Sequence, residues 1–252
     1  MRERHETTMT LHGKVALVTG AGRRVGRAIA LALAGRGAAV AIHCRNSRAD
    51  AESAAAEVAA RGGRARVFGA NLESIAESEA LIAAVIEAFG RIDVLVNSAS
   101  VFTRRALDEI TERDWDAALA VNLKAPFFLA RAAGAAMRRQ GAGKIVSLSD
   151  IAARRPFLNY IPYSIAKAGL EAMTVALARA LAPEVQVNAI ALGVVAPPED
   201  YDRAGLERLR RRIPARRFGT AGDAARAVIF LCEGTDFATG ATLTLDGGRL
   251  ID

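Results

Sequence analysis

Short apolar runs alternate with longer amphipathic stretches along most of the chain. Runs of aliphatic and β-branched residues, typical of buried strands, occur at 14–19, 38–43, 66–70, 93–97, 144–148, 185–191 and 241–245. Helical periodicity predicts helices at 27–36, 75–89, 112–140, 163–181 and 221–232, with a polar helical stretch at 201–217. Apolar strands separated by helices are typical of a sheet covered on both faces. The pattern therefore predicts an α/β fold, doubly wound around a mainly parallel seven-stranded sheet.

Length and composition favour one domain over two. The chain has 252 residues, of which 52% are hydrophobic, and no Pro/Gly/Ser-rich linker divides it. We expect a single domain at 11–252, preceded by a polar, disordered tail at 1–10. No apolar run approaches the ~20 residues that cross a bilayer, and the start lacks the apolar core of a signal peptide. These features predict a cytoplasmic protein with no membrane partner.

Charge and the scarce metal-binding residues exclude several function classes. The formal charge is +7, but the arginines are spread along the chain with few interleaved aromatics, so we expect no nucleic-acid partner. The densest basic cluster, 203–217, is typical of a solvated helix face. Cys44 and Cys232 lack Cys-x-x-Cys spacing, which favours reduced thiols. Three histidines are too few for a zinc site or a histidine triad, so no metal is predicted.

The stretch 149–167 contains three residues that can form one site. Tyr163 and Lys167 are four apart in a predicted helix, so both project from one face. A tyrosine has a pKa of about 10, and lowering it to about 7 needs roughly 4 kcal/mol, which a nearby ammonium can supply. Asp150 follows a predicted strand at the edge where open α/β sheets bind ligands. Asp150 is therefore expected to meet Tyr163 across a pocket.

A glycine-rich turn follows the first predicted strand and precedes the first helix. It reads Gly20-Ala-Gly-Arg-Arg-Val-Gly26. Glycines let the backbone approach a phosphate, and the amides of a helix N-terminus face the anion. We interpret this turn as a cofactor phosphate cradle, the alternative being a plain tight turn.

The end of the second strand predicts which dinucleotide is bound. Selection of NAD usually uses a carboxylate here, whereas selection of NADP uses an arginine that pairs with the 2′-phosphate. The segment His43-Cys-Arg45-Asn46-Ser47 has no acid until Asp50. Arg45, with Ser47 and also His43 and Arg24, therefore predicts NADPH. A solvated basic loop is the alternative.

Tyr163 and Lys167, with a polar residue thirteen positions before the tyrosine, resemble the short-chain dehydrogenase/reductase family, over essentially all of 11–252. At three positions the chain departs from the usual family pattern, and there it resembles the family's pteridine reductase or dihydromonapterin reductase-like branch. Asp150 stands where most members have serine. Arg24 replaces the middle glycine of the family's turn, and Ser100, within Asn97-x-Ala99-Ser100-x-Phe102, replaces another glycine.

The resemblance implies a Rossmann fold and a set of site residues. Those expected to bind the cofactor are Gly20, Arg24, Val25, Gly26, His43, Arg45, Asn46, Ser47, Asn71, Leu72, Asn97, Ala99, Tyr163 and Lys167. Those expected to bind substrate are Ser100, Phe102, Asp150, Tyr163 and Arg24. Asn122 would hold a water beside Lys167, completing a catalytic set with Asp150 and Tyr163. A mobile substrate lid is expected at about 194–217, and the resemblance also implies a homotetramer.

These expectations favour NADPH-dependent reduction of a pterin, at a dihydropterin or dihydrofolate-like C=N bond. Tyr163 would donate the proton, Lys167 would bind the nicotinamide ribose, and Asp150 would accept hydrogen bonds from ring N–H groups. The alternative is a carbonyl reductase acting on a ketone such as a 3-oxoacyl thioester, with Ser149 or Ser147 replacing the missing serine. A third hypothesis is a non-catalytic NADPH-binding regulator, which the intact Tyr163, Lys167 and Asn122 disfavour.

Overall fold

The fold is built on one seven-stranded sheet in a computed structural model that describes residues 9–195 and 202–251. The strand order is β3-β2-β1-β4-β5-β6-β7, and every paired strand is parallel to its neighbour. The strands are β1 (Val15–Val18), β2 (Ala39–Cys44), β3 (Ala65–Gly69), β4 (Val94–Asn97), β5 (Gly143–Asp150), β6 (Val185–Leu192) and β7 (Thr242–Leu245). The predicted doubly wound Rossmann fold is confirmed, and the sheet is parallel throughout.

Eight α-helices connect the strands within the described residues. They are α1 (Arg24–Gly35), α2 (Arg48–Ala60), α3 (Ile75–Phe89), α4 (Glu112–Leu119), α5 (Ala125–Gln140), α6 (Ile161–Leu181), α7 (Arg203–Arg211) and α8 (Ala221–Ile229). A π-helical segment, Ala120–Lys124, separates α4 from α5, and another, Phe230–Gly234, follows α8. The chain therefore crosses between parallel strands through helices, as parallel pairing requires.

Several boundaries differ from the sequence prediction. The helix predicted at 112–140 is interrupted by the π segment, and α2 was not predicted because its alanines and charged residues lack an apolar stripe. Asp150 is the last residue of β5, rather than lying beyond it. Helix α7 covers only part of the predicted 201–217 stretch. Of the predicted lid, 196–201 lies outside the described residues, as does 1–8 of the predicted tail, whereas Met9 packs against the core.

The core lies on both faces of the sheet because successive strand side chains point to opposite sides. In β1, Ala16 and Val18 pack with helices α1 and α8, while Val15 and Leu17 pack with α3, α5 and α6. All four of these side chains are essentially inaccessible. Two apolar layers therefore hold the sheet rigidly, and the carboxyl ends of its central strands form the edge where the predicted site residues gather.

Two features are absent from the described ranges. No helix there has the length and apolar character to cross a membrane. Within those ranges, no group of three or more His, Cys, Asp or Glu residues is arranged to hold a metal ion.

Candidate active site

Asp150 and Tyr163 meet through a hydrogen bond between β5 and α6. The Tyr163 hydroxyl donates to Asp150 Oδ2 at 3.0 Å, and the Ala152 amide donates to Oδ1 at 2.7 Å. Tyr163 is 7% exposed, so this pair lies mostly out of water. The structure thus brings together two predicted residues that are thirteen positions apart in sequence.

Lys167 lies one helical turn after Tyr163 and is buried. Its Nζ donates to the Leu148 carbonyl at 2.6 Å and lies 5.5 Å from the centroid of the Tyr163 ring. Burial lowers the pKa of Lys167 to about 8, although the Asp150 carboxylate opposes this shift. The lysine is therefore fixed to the end of β5, with its ammonium close to the ring of the tyrosine.

The ionisation of Tyr163 differs from the prediction. Burial, followed by the charge and hydrogen bond of Asp150, raises the pKa of Tyr163 well above its ordinary value. The expected net lowering of this pKa is therefore wrong for the protein alone, because burial and the facing carboxylate both disfavour the phenolate, while the ammonium is bonded to Leu148. Burial also raises the pKa of Asp150, and Ala152, Tyr163, Lys167 and Arg249 oppose that shift. In this arrangement the phenol retains its proton, and a protonated Asp150 is favoured relative to an exposed carboxyl.

Asn122 lies in the π segment and joins it to the loop after β4. Its Nδ2 donates to the carbonyls of Val101 and Ala118, each at 2.9 Å. Its Oδ1 accepts from Ser100 Oγ at 2.7 Å and from the Val101 amide at 3.2 Å. The Asn122 side chain therefore fixes the loop that carries Ser100 and Phe102, and its predicted contact with a water stays a prediction. The Ser100 hydroxyl donates its proton to Asn122, which leaves it an acceptor towards substrate.

An aromatic wall extends from Tyr163 along the mouth of the site. Phe102 is 48% exposed, stacks on Tyr160 with ring centroids 4.0 Å apart, and meets the Tyr163 ring edge-on at 4.6 Å. Phe157 approaches the Tyr160 ring edge-on at 6.3 Å. Phe102 thus reaches the site as predicted. Tyr160 and Phe157 were missed, although Tyr160 lies three residues before Tyr163 and helical spacing could have indicated it.

The glycine turn has the close contacts expected of a phosphate cradle. Gly20 has a φ of +65°, and a Cβ placed there would lie 2.9 Å from the Cα of Ala99. A Cβ on Gly26 would lie 2.4 Å from the Gly20 carbonyl oxygen. Thr19 Oγ1 accepts from the amides of Ser98 and Ala99, which holds the loop after β4 against the turn. Only glycine fits at these two positions.

Arg24 occupies the middle glycine position of the family's turn, as the first residue of α1. Its φ is +50°, in the left-handed region that favours glycine. Val25, half-buried, packs on the core beside it. The arginine at this position is therefore strained, while its side chain is exposed beside the turn.

His43 does not reach the position of a 2′-phosphate reader. It is 2% exposed, its Nδ1 accepts from the Gly20 amide at 3.2 Å, and its Nε2 lies 3.1 Å from the Ala70 carbonyl. These partners fit the neutral ring with its proton on Nε2, and burial lowers the pKa of His43. The prediction that His43 faces the cofactor phosphate is wrong. The residue instead fixes the backbone of the glycine turn.

Arg45 is exposed beyond β2 and paired with an acid that the sequence reasoning missed. Its Nη1 lies 2.5 Å from Glu73 Oε1, and both side chains are more than a third exposed. Asn46 is exposed next to it, and Ser47 is half-buried at the start of α2. Glu73 had no distinguishing feature in the sequence because it lies 28 residues away. Arg45 is thus available at the predicted place, with Glu73 as a competing anion.

The remaining predicted cofactor residues lie after β3 and at or after the end of β4. Asn71 Oδ1 accepts from the Glu73 amide at 3.2 Å, while Leu72 is 5% exposed and belongs to the core. Asn97 ends β4, and its Nδ2 donates to Ser147 Oγ at 3.2 Å. Its Oδ1 is buried without a hydrogen-bond partner among the described residues, as expected where a ligand or water would complete the site. Together with the glycine cradle, this acceptor fits a nicotinamide dinucleotide.

The two serines proposed to replace the family serine are engaged elsewhere. Ser147 accepts from Asn97, and Ser149 Oγ donates to Glu171 Oε1 at 3.2 Å. Neither has a hydrogen bond to Tyr163 or Asp150 within the described chain. Asp150 is therefore the polar partner of Tyr163 at this site.

A doubly wound sheet, a glycine cradle at its first turn and a Tyr/Lys pair at the end of β5 define a dinucleotide-dependent oxidoreductase. The sequence profile of the family described as "Enoyl-(Acyl carrier protein) reductase" matches residues 20–249. The chain belongs to the short-chain dehydrogenase/reductase family.

Named relatives cover nearly the whole chain. A 3-oxoacyl-[acyl-carrier-protein] reductase of Synechocystis sp. is 34% identical over 96% of this chain and 98% of its own. A D-threitol dehydrogenase of Mycolicibacterium smegmatis is 36% identical over 96% and 94%. A solved blue fluorescent protein from a metagenomic library, in complex with NADPH, is 32% identical with a TM-score of 0.89, over 96% and 99%. These names agree with the ketone alternative better than with the pterin prediction.

Proposed function

We propose that this protein is an NADPH-dependent reductase of a polar double bond, with a ketone of the 3-oxoacyl thioester class as the first substrate to test. The hydrogen-bonded pair of Tyr163 and Asp150 carries the proposal, because it keeps a protonated phenol at the end of β5. The name of the Synechocystis relative supports the ketone. Arg45 beyond β2 supports the choice of NADPH over NADH.

The chain's residues supply the proton and the orientation. NADPH, when bound, supplies the hydride. Tyr163 donates its proton to the atom that gains negative charge, and a general acid of this kind contributes about 10²–10⁴-fold. Asp150, when protonated, donates a hydrogen bond to the Tyr163 oxygen and replaces the proton that the phenol gives up. Lys167, fixed by Leu148, places a positive charge beside the ring and stabilises the phenolate that forms.

A pterin is the second candidate, and one observation favours it. Asp150 occupies the position of the family serine, and neither Ser147 nor Ser149 takes over the serine's place as a partner of Tyr163. An ionised carboxylate only accepts hydrogen bonds, so it suits a ring with N–H donors better than a carbonyl oxygen. Phe102, half-exposed beside Tyr163, offers a flat face on which such a ring can stack.

The deciding experiment measures NADPH oxidation by the purified protein with two substrate groups. One group contains an acetoacetyl thioester and a simple diketone, and the other contains dihydrobiopterin, dihydromonapterin and dihydrofolate. Turnover confined to the ketones supports the first candidate. Turnover confined to the pterins replaces it with the second. Tight NADPH binding without turnover of any substrate contradicts the reductase proposal and supports a non-catalytic regulator.

The matched control for both outcomes is Tyr163→Phe, which removes only the hydroxyl. Turnover should fall by about two to four orders of magnitude, because the proton donor is lost. NADPH affinity, measured by fluorescence titration, should change little. Unchanged turnover would remove Tyr163 from the mechanism whatever the substrate.

A further inference from the structure

The turn after β7 is held by several hydrogen bonds and places Arg249 near the candidate site. Asp246 accepts from the amides of Gly248 and Leu250, each at 2.8 Å, through its two carboxylate oxygens. Gly247 and Gly248 have φ values of +65° and +90°, which glycine adopts without strain. The Gly247 carbonyl accepts from the Ala215 amide at 2.9 Å, so the turn is also tied to the segment after α7.

Arg249 lies between this turn and the aromatic wall of Tyr163, Phe102, Tyr160 and Phe157. Its guanidinium carbon is 5.9 Å from the centroid of the Phe157 ring, and its carbonyl accepts from Arg155 Nη1 at 3.4 Å. It also acts electrostatically on Asp150. The side chain is half-buried. A cation is therefore held within electrostatic range of the candidate general acid, at the far end of a wall that begins at Tyr163.

The aromatic wall contains a large share of the protein's aromatic residues. Four of the thirteen aromatic residues of the protein, nine Phe, three Tyr and one Trp, lie in it. Aromatic faces favour flat, conjugated groups, and a guanidinium that is partly shielded from water binds carboxylates strongly. The wall and the cation together match a ligand that is flat near Tyr163 and negatively charged at its other end.

We propose that Arg249 is a specificity-determining residue that selects substrates with an anionic group attached to a flat, conjugated part. The inference rests on the proposed function for the place of the reacting bond at Tyr163, but its test measures binding and needs no turnover. Sequence reasoning did not find Arg249, because it is 99 positions from Asp150 and belongs to no motif.

The test compares a matched pair of probes, 2-naphthoate and 2-naphthamide, which share a flat ring and differ in charge. Their binding to the protein saturated with NADP⁺ is measured by calorimetry for the unchanged chain, Arg249→Gln, Arg249→Lys and Phe157→Leu. Arg139→Gln is the control, because Arg139 is an exposed arginine on α5, away from every predicted site residue. Unchanged NADP⁺ affinity in each variant shows that the fold is retained.

The unchanged chain should bind naphthoate more tightly than naphthamide. Arg249→Gln should weaken naphthoate binding about tenfold, the effect of losing one charge-assisted hydrogen bond, while naphthamide changes less than about twofold. Arg249→Lys should restore part of the loss, and Phe157→Leu should weaken both probes. Equal losses for the two probes, an equal effect of Arg139→Gln, or no binding by the unchanged chain would overturn the proposal. Charge-selective binding in a protein that turns over no substrate would overturn the reductase proposal alone.

Discussion

The carboxyl group of Asp150 influences which groups of the candidate site carry a proton. Asp150 accepts from the Ala152 amide and the Tyr163 hydroxyl, and it experiences the positive charges of Lys167 and Arg249. Burial outweighs these stabilising partners, so the pKa of Asp150 is raised. Burial and Asp150 keep the Tyr163 phenol protonated, which suits reduction better than oxidation, because an alcohol dehydrogenase would need the ionised phenol as a base.

The activity should therefore depend on the protonation of Asp150. Below its pKa the carboxyl donates to the Tyr163 oxygen and leaves the phenol proton for substrate. Above its pKa the carboxylate accepts that proton and competes with substrate. We expect kcat/KM for reduction to fall as pH rises through the pKa of Asp150, which lies above the ordinary aspartate value. Initial rates of NADPH oxidation across a pH series measure this profile.

The control for this pH dependence is Asp150→Asn. The amide is neutral at every pH and can always donate, so the descending limb should disappear. Asp150→Ala provides no hydrogen-bond donor, so its turnover should be lower by a factor of about 10²–10⁴ at all pH values. A descending limb that survives in Asp150→Asn would assign the titration to another group.

We expect the cofactor preference to depend on the pair of Arg45 and Glu73. Glu73 lies 2.5 Å from the guanidinium that would bind a 2′-phosphate, so it competes for the same charge. Arg45→Asp should shift the preference from NADPH towards NADH by placing a carboxylate where the ribose 2′-hydroxyl needs an acceptor. Glu73→Gln should shift it the other way, towards NADPH. The ratio of kcat/KM for the two cofactors measures both changes, and opposite signs are required.

The glycine turn shows how one element combines cofactor binding with strain. Gly20 and Gly26 have contacts that exclude a Cβ, whereas Arg24 has a left-handed backbone at a position where the family has glycine. A non-glycine residue in this conformation costs about 1–2 kcal/mol. The chain retains this cost in the turn that would contact the cofactor, a common place for backbone strain.

Arg24→Gly should consequently stabilise the fold while weakening NADPH binding. Relief of the strain should raise the free energy of unfolding by about 1 kcal/mol, and loss of the cation should weaken binding severalfold. Arg23→Gly is the control, because Arg23 has an extended backbone with φ −138° and no such strain. Thermal unfolding and NADPH titration measure the two effects. A destabilised Arg24→Gly would show that the side chain contributes more than its backbone costs.

At the scale of the whole molecule, hydrophobic pattern predicted the seven strands and most helices. The five central strands, all but β3 and β7, are buried on both faces and therefore form nearly continuous apolar runs. Tyr163 and Lys167 could be placed together from their helical spacing, and Asp150 could be placed near them from its position at the end of a strand. The π segment and α2 could not be predicted, since neither carries a distinctive apolar pattern.

Contacts between residues far apart in the sequence could not be predicted for a different reason. The direction of His43 depends on an amide of the glycine turn, and the partner of Arg45 depends on the path of the chain after β3. Arg249 comes within electrostatic range of Asp150 through the turn after β7, which is hydrogen-bonded to the segment after α7. The local pattern of apolar and polar residues predicts helices and strands. These contacts instead depend on how elements distant in sequence pack together.

One such long-range contact should contribute strongly to stability. Lys144, at the start of β5, is 1% exposed, and its ammonium bonds the Thr235 carbonyl at 2.9 Å and Asp236 Oδ1 at 2.5 Å. Asp236→Asn should lower the free energy of unfolding by about 1–3 kcal/mol, because a buried cation loses its counter-charge. Glu52→Gln, which breaks an exposed pair with Arg48, should cost less than about 1 kcal/mol. Urea unfolding at one fixed protein concentration compares the two variants, and equal costs would show that burial of Lys144 does not strengthen its pairing.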